Sequence, residues 1–116
     1  MKSTELRIGN IVKYKGKKYT VQAIYSDAAS IVKDKNLRFT AFEYLDGVEI
    51  TEEALFDLGF AKKYDIYILY ICEICVDIIK SDSHDFWYVS LNDSVDIKMK
   101  YIHQIQNIIS ALTEDI

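Results

Sequence analysis

The stretch "RIGNIVKYKGKKYTVQAI", residues 7–24, decides how the first half of the chain folds. Val12 and Tyr14 alternate with Ile11 and Lys13. Further on, Tyr19, Val21, Ala23 and Tyr25 alternate with Thr20, Gln22 and Ile24. A period of two sends alternate side chains to opposite faces of a strand. Between the two runs, Gly16 centres a tight hairpin in "YKGKKY". Working outward, two more short strands are expected near residues 28–33 and 37–42. Short strands joined by tight turns predict a small, strongly curved sheet or barrel.

This opening resembles that of an SH3-like barrel, in which a Gly-led strand turns into a second strand ending in an apolar pair. At "VEITEEALFDLGF", residues 48–60, the period changes. Thr51 is placed to cap a helix, Glu52 and Glu53 suit its positive end, and Gly59 is a natural stop. These signals predict a helix of about two turns over Glu52–Leu58.

The next segments, "AKKYDIYILYICEICVDIIK" and "DFWYVSL", are rich in residues that favour a pleated, half-buried surface. Cys72, Ile74, Val76 and Ile78 form one face of a strand and Glu73, Cys75 and Asp77 the other. "KSDSHD" makes a turn, and "LND" closes the following strand. A last helix is expected to start between Val95 and Tyr101 and to run to about Thr113. On its wheel Ile102, Ile105, Ile108, Ile109 and Leu112 share one arc. His103, Gln106, Asn107 and Ser110 lie nearly opposite, facing solvent, the other lobe or a partner.

A chain of 116 residues fits a single domain, here with lobes over 1–50 and 51–116. Half its residues are hydrophobic, which excludes intrinsic disorder, and proline is absent, which excludes Pro-rich linkers. The N-terminus holds no long apolar run. The most apolar stretch, around residues 65–79, is interrupted by Glu73 and Asp77, so no membrane span is expected and a soluble cytoplasmic protein is.

The net charge of −4 is unevenly spread. Residues 1–40 carry nine Lys or Arg against three Asp or Glu, and residues 41–116 carry five against fifteen. A basic front is one footprint of nucleic-acid binding. Lys13, Lys15, Lys17, Lys18 and Arg38 are the candidate contacts, with Tyr14, Tyr19 and Phe39 between them as stacking groups. Alternation weighs against this, because Lys13 and Tyr14 face opposite sides. The same lysines also keep edge strands soluble.

"CEIC" at 72–75 has the spacing of redox and zinc motifs. Its setting is a strand, where side chains three apart diverge, and only His84 and His103 remain to complete a metal site. No metal or cofactor is expected, and the cysteines are read as reduced core residues. His103 with Asn107 one turn away is the best candidate for a general base. No nucleophile motif, phosphate-binding loop or H-E-x-x-H accompanies it, so no catalytic residue is assigned and no enzyme is expected.

"ELRIGNIV" at 5–12, "ITEEALFDLGF" at 50–60 and "YIHQIQNIISALT" at 101–113 resemble the landmarks of a family of short proteins encoded by Bacteroides-type bacteria and their phages or mobile elements. The family pattern runs E-L-R-I-G-N, then L-T-E-E-x-L with G-F, then Y-V-H-Q-L-Q-N-L with A-L-T. The resemblance covers nearly the whole chain and brings no activity. It puts His103, Gln104, Gln106 and Asn107 on the family's polar positions. This chain departs from the pattern with Ile102 and Ile105 and lacks the Gly that follows the family's Thr.

The fold class expected is α+β: a small N-terminal SH3-like sheet, a short helix, an antiparallel sheet, and a C-terminal amphipathic helix laid against that sheet. The function expected is a non-catalytic accessory or interaction protein of phage or mobile-element type. Its partner would be an unidentified protein or a second copy of the chain. The polar helix row of His103, Gln104, Gln106, Asn107 and Ser110 has either an interaction or a structural role; the structural one is preferred, with Asn107 or His103 hydrogen-bonding to backbone of the N-terminal lobe where the helix docks. The alternative is a small nucleic-acid-binding module using the basic lobe, and an enzyme with His103 as base comes third.

Overall fold

Lys15 and Gly16 both take positive φ, 50° and 78°, which is what a two-residue hairpin turn with the right-handed strand twist demands. They join β1 (Ile11–Tyr14) to β2 (Lys17–Ile24), paired from Ile11↔Thr20 to Tyr14↔Lys17. The computed structural model describes residues 1, 3–82, 85–94 and 96–113, with the side chain of Ser3 left aside. β3 (Ala28–Lys33) and β4 (Asn36–Ala41) form a second hairpin, and β5 (Leu45–Gly47) returns to pair with β1. The strand order is β4-β3-β2-β1-β5, all neighbours antiparallel. Val12, Tyr19, Val21, Ile31 and Leu45 form its core with Leu6 and Phe42.

The fold is α+β, with two five-stranded antiparallel sheets and a C-terminal helix. The second sheet is a simple meander in the order β10-β9-β8-β7-β6: β6 (Ala61–Lys63), β7 (Ile66–Ile71), β8 (Ile74–Lys80), β9 (Trp87–Leu91) and β10 (Ile97–Met99). Ahead of it stands α1 (Glu52–Asp57), capped by Thr51, whose hydroxyl accepts from the Ala54 amide at 3.2 Å. Its end is a Schellman motif. The Gly59 amide (φ 102°) donates to the Phe56 carbonyl and the Phe60 amide to that of Leu55. Leu55 is fully buried, and Phe56, Tyr67 and Trp87 form a chain of tilted and edge-on aromatic contacts, with ring centroids 6.0 and 5.6 Å apart.

By its contacts the chain divides into two compact units: Met1–Glu49 with Tyr101–Asn107, and Ile50–Lys100 with the chain from Ile108. The first boundary lies where the strand pattern gives way to the signals of α1. The first turns of α2 (Ile102–Thr113) group with the N-terminal unit, although the pattern of isoleucines assigned the whole helix to the second sheet.

Three local expectations change. Cys72 is not in a strand: with φ 56° it leads the two-residue turn between β7 and β8, so the alternating face begins at Ile74. The helix starts at Ile102, because Ile97–Met99 pairs with β9 as an extra strand. Most consequential is a shift of register between Val21 and Ala23 in the pairing of β2 with β3. Val21 pairs with Ile31 in the core, whereas Ala23 pairs with Ser30, which in turn pairs with Phe39. A bulge of this kind re-aims the side chains beyond it. Ala23 and Tyr25 therefore leave the face of Tyr19 and Val21.

Candidate functional site

Two residues of the polar row on α2, Gln106 and Asn107, clamp the N-terminal loop. Gln106 Oε1 accepts from the Ile11 amide at 2.9 Å, and its Nε2 donates to the Gly9 carbonyl at 3.4 Å. Asn107 Nδ2 donates to the Glu5 carbonyl at 2.8 Å, and its Oδ1 accepts from Asn10 Nδ2 at 2.9 Å. Asn10 is 3 % exposed, and its Oδ1 accepts from the Arg7 amide at 2.7 Å. Each side-chain amide thus uses both its donor and its acceptor on backbone or amide groups of residues 5–11. Gln104 works on its own helix, accepting from the Tyr101 amide at 2.9 Å in half of a capping box. Ser110 lies beyond the clamp, and its carbonyl accepts from the Thr113 hydroxyl at 3.0 Å.

His103 is 2 % exposed and lies flat against Tyr101, with ring centroids 5.8 Å apart and planes at 11°. Its Nδ1 is buried with no hydrogen-bond partner among the described residues. Burial holds the imidazole below the ordinary histidine value, and the Glu5 carboxylate opposes this only in part. The Tyr101 ring occupies the space over Gly47 where a Cβ would stand. A group so enclosed serves packing better than proton transfer, which needs hydrogen-bond reach to a substrate.

The five basic candidates divide between the two faces of the sheet. In an antiparallel pair, directly opposed residues share a face. Tyr14, opposite Lys17, belongs to the core side, where Lys15 Nζ lies 5.4 Å and the Arg38 guanidinium 6.0 Å from its ring centroid. Tyr14 lines a groove of about 510 Å³ with Lys15, Glu43, Tyr44 and Asp46. Lys13 and Lys18 face one another on the outer side. Following the register along that side, Thr20 meets Val32, Val32 meets Leu37, and Ser30 meets Phe39. Leu37 and Phe39 are 61 and 68 % exposed, and Tyr25, re-aimed by the bulge, packs edge-on against Phe39 at 5.3 Å. Sequence reasoning had Phe39 among its stacking groups but missed Leu37 and Tyr25. The alternation of Leu37 and Phe39 with Arg38 was the available signal.

Cys72 is exposed in its turn. Cys75 Sγ donates to Asp77 Oδ1 at 3.0 Å. That hydrogen bond, then burial, then the Asp77 charge push the Cys75 thiol above its ordinary value, which disfavours the thiolate that redox or metal chemistry uses. Among the described residues no group of three or more His, Cys, Asp or Glu stands where it could hold a metal ion, and His84 lies outside them. No described helix is long and apolar enough to cross a membrane.

The chain matches no protein-family profile, no curated protein and no solved structure.

Proposed function

We propose that the protein is a non-catalytic interaction protein of phage or mobile-element type, acting in the cytoplasm, with the outer face of its first sheet as the recognition surface. The observation that carries this reading is the cluster of Leu37, Phe39 and Tyr25, one aliphatic and two aromatic side chains left largely in water on and beside the edge strand β4. The same sheet buries Val12, Tyr19, Val21 and Ile31 on its other side. An exposed apolar edge strand is a liability that folds commonly blunt, and contiguous exposed apolar groups mark binding surfaces. The SH3-like reading of the lobe belongs to this proposal and is supported by its tight two-residue hairpins.

Catalysis by His103 would require a route to solvent, and 2 % exposure speaks against one. The clamp engages Gln106 and Asn107 without a ligand, which moves recognition from the helix to the sheet.

The test is a photo-crosslinking amino acid at position 39, with position 57 on α1 as control, in cells producing the protein. The expected result is a discrete adduct at position 39, competed by the unmodified protein and missing at position 57. Equal, diffuse labelling at both positions would overturn the proposal. Sensitivity of the adduct to nuclease or to protease reports the partner's class.

A further inference from the structure

Resting on the reading of that face as a recognition surface, the geometry points to single-stranded nucleic acid as its ligand.

β1 and β2 join through Lys15-Gly16, and β3 and β4 through Asp34-Lys35. Because β2 and β3 are antiparallel neighbours, both turns lie at the same end of the sheet. That end gathers Lys13, Lys15, Lys17, Lys18, Lys33 and Lys35, all exposed except the half-buried Lys13. The carboxylates there are Asp34, Asp46 and Glu43, and Asp46 stands directly across from Lys13 on β5. The excess is positive.

Lys13 and Lys18 stand directly opposite one another. Two like charges directly opposite on adjacent strands weaken a sheet. Asp46, opposite Lys13 on β5, offsets part of this repulsion but lies on the far side from Lys18, and a polyanion over the pair would relieve the rest.

The aromatic groups add a flat apolar surface. Along the outer face, two rows beyond the lysine pair, Phe39 stands with Tyr25 in edge-on contact, and both side chains are more than half exposed. At ordinary strand spacing and rise, Phe39 lies about 15 Å from Lys18. A ligand spanning that distance needs negative charge at one end and flat apolar surface at the other. Single-stranded nucleic acid has both, since its phosphates meet lysines while its unpaired bases stack. A duplex keeps its bases stacked inside and has no use for Phe39 on an open sheet.

The experiment is fluorescence anisotropy of labelled dT15, rU15 and a 15-base-pair duplex against the whole chain over a salt series. The expected result is tighter binding of the single strands than of the duplex, weakening as salt rises. Lys18→Glu should flatten the log–log salt slope by about 0.7, the value for one phosphate contact on a single strand. Phe39→Ser should weaken binding about 10-fold, within the range for one stacked base, and leave the slope unchanged. Lys63→Glu on the second sheet should change neither. Circular dichroism melting confirms that each variant folds. Absence of binding at low salt, or binding equal for single strand and duplex and indifferent to Phe39→Ser, overturns the inference. If that happens while the position-39 adduct persists and is destroyed by protease, the recognition surface stands and its ligand is a protein. If the adduct is also missing, both readings fall.

Discussion

Asn10 Nδ2 donates to Asn107 Oδ1 at 2.9 Å, joining residues 97 positions apart. Two of the three landmark blocks, "ELRIGN" and "HQIQN", are therefore partners of one another within the first unit.

Asn107→Ala removes the bonds to Asn10 and to the Glu5 carbonyl and leaves the buried Asn10 amide without that acceptor. An unsatisfied buried group costs more than the net worth of its bond. A loss of about 2 kcal/mol is expected in urea unfolding. Pairing it with Asn10→Ala should cost less than the sum of the single variants, because the side chains share one interaction.

The neutral, buried His103 makes stability depend on pH. Its folded-state value lies below the unfolded one, so the unfolded chain takes up the proton first as pH falls. Stability is therefore full above the ordinary histidine value of about 6.5 and is lost as pH falls through the lowered one. Glu5, the charged group that favours the protonated form, softens the loss. Urea midpoints between pH 8 and pH 5 should fall more steeply for the natural chain than for His103→Phe. Parallel curves would show that the histidine is not buried neutral.

Gly47 lies under the Tyr101 ring. Gly47→Ala forces the ring aside and should destabilise by about 2 kcal/mol, the middle of the range for overpacking. In a Tyr101→Ala background the same change should be nearly neutral. A large loss in both backgrounds would place the cause in the backbone instead.

Much of the fold was legible because local chemistry agreed with it. The Lys15-Gly16 turn, the Thr51 cap and the Gly59 stop each require particular residue types, and each is where its residue type says. The β7–β8 turn was illegible because Cys72-Glu73 has none of the usual turn residues, Cys72 accepting φ 56° within an otherwise strand-like run. β10, three residues long, carries too few alternations to stand out from the helix after it. The site was half legible. Phe39 could be named as a stacking group, but its neighbour Tyr25 depended on a bulge that alternation alone does not announce. The helix row was correctly seen as polar. Its engagement of residues 5–11 comes from tertiary contacts.

Lys18→Glu should raise stability by a few tenths of a kcal/mol, since it turns an opposed like-charge pair with Lys13 into an attractive one. If the same substitution weakens ligand binding, stability and recognition move in opposite directions at one position. A residue kept only for solubility would not show that pattern.

The most direct measurement is amide chemical-shift mapping of the isotope-labelled chain titrated with dT15. A strand bound on the outer face of the first sheet should perturb Lys13, Lys18, Thr20, Leu37 and Phe39 most, with the Ile66–Ile71 strand unchanged. Perturbations centred instead on the Tyr14 and Tyr44 groove, or on the second sheet, would contradict it.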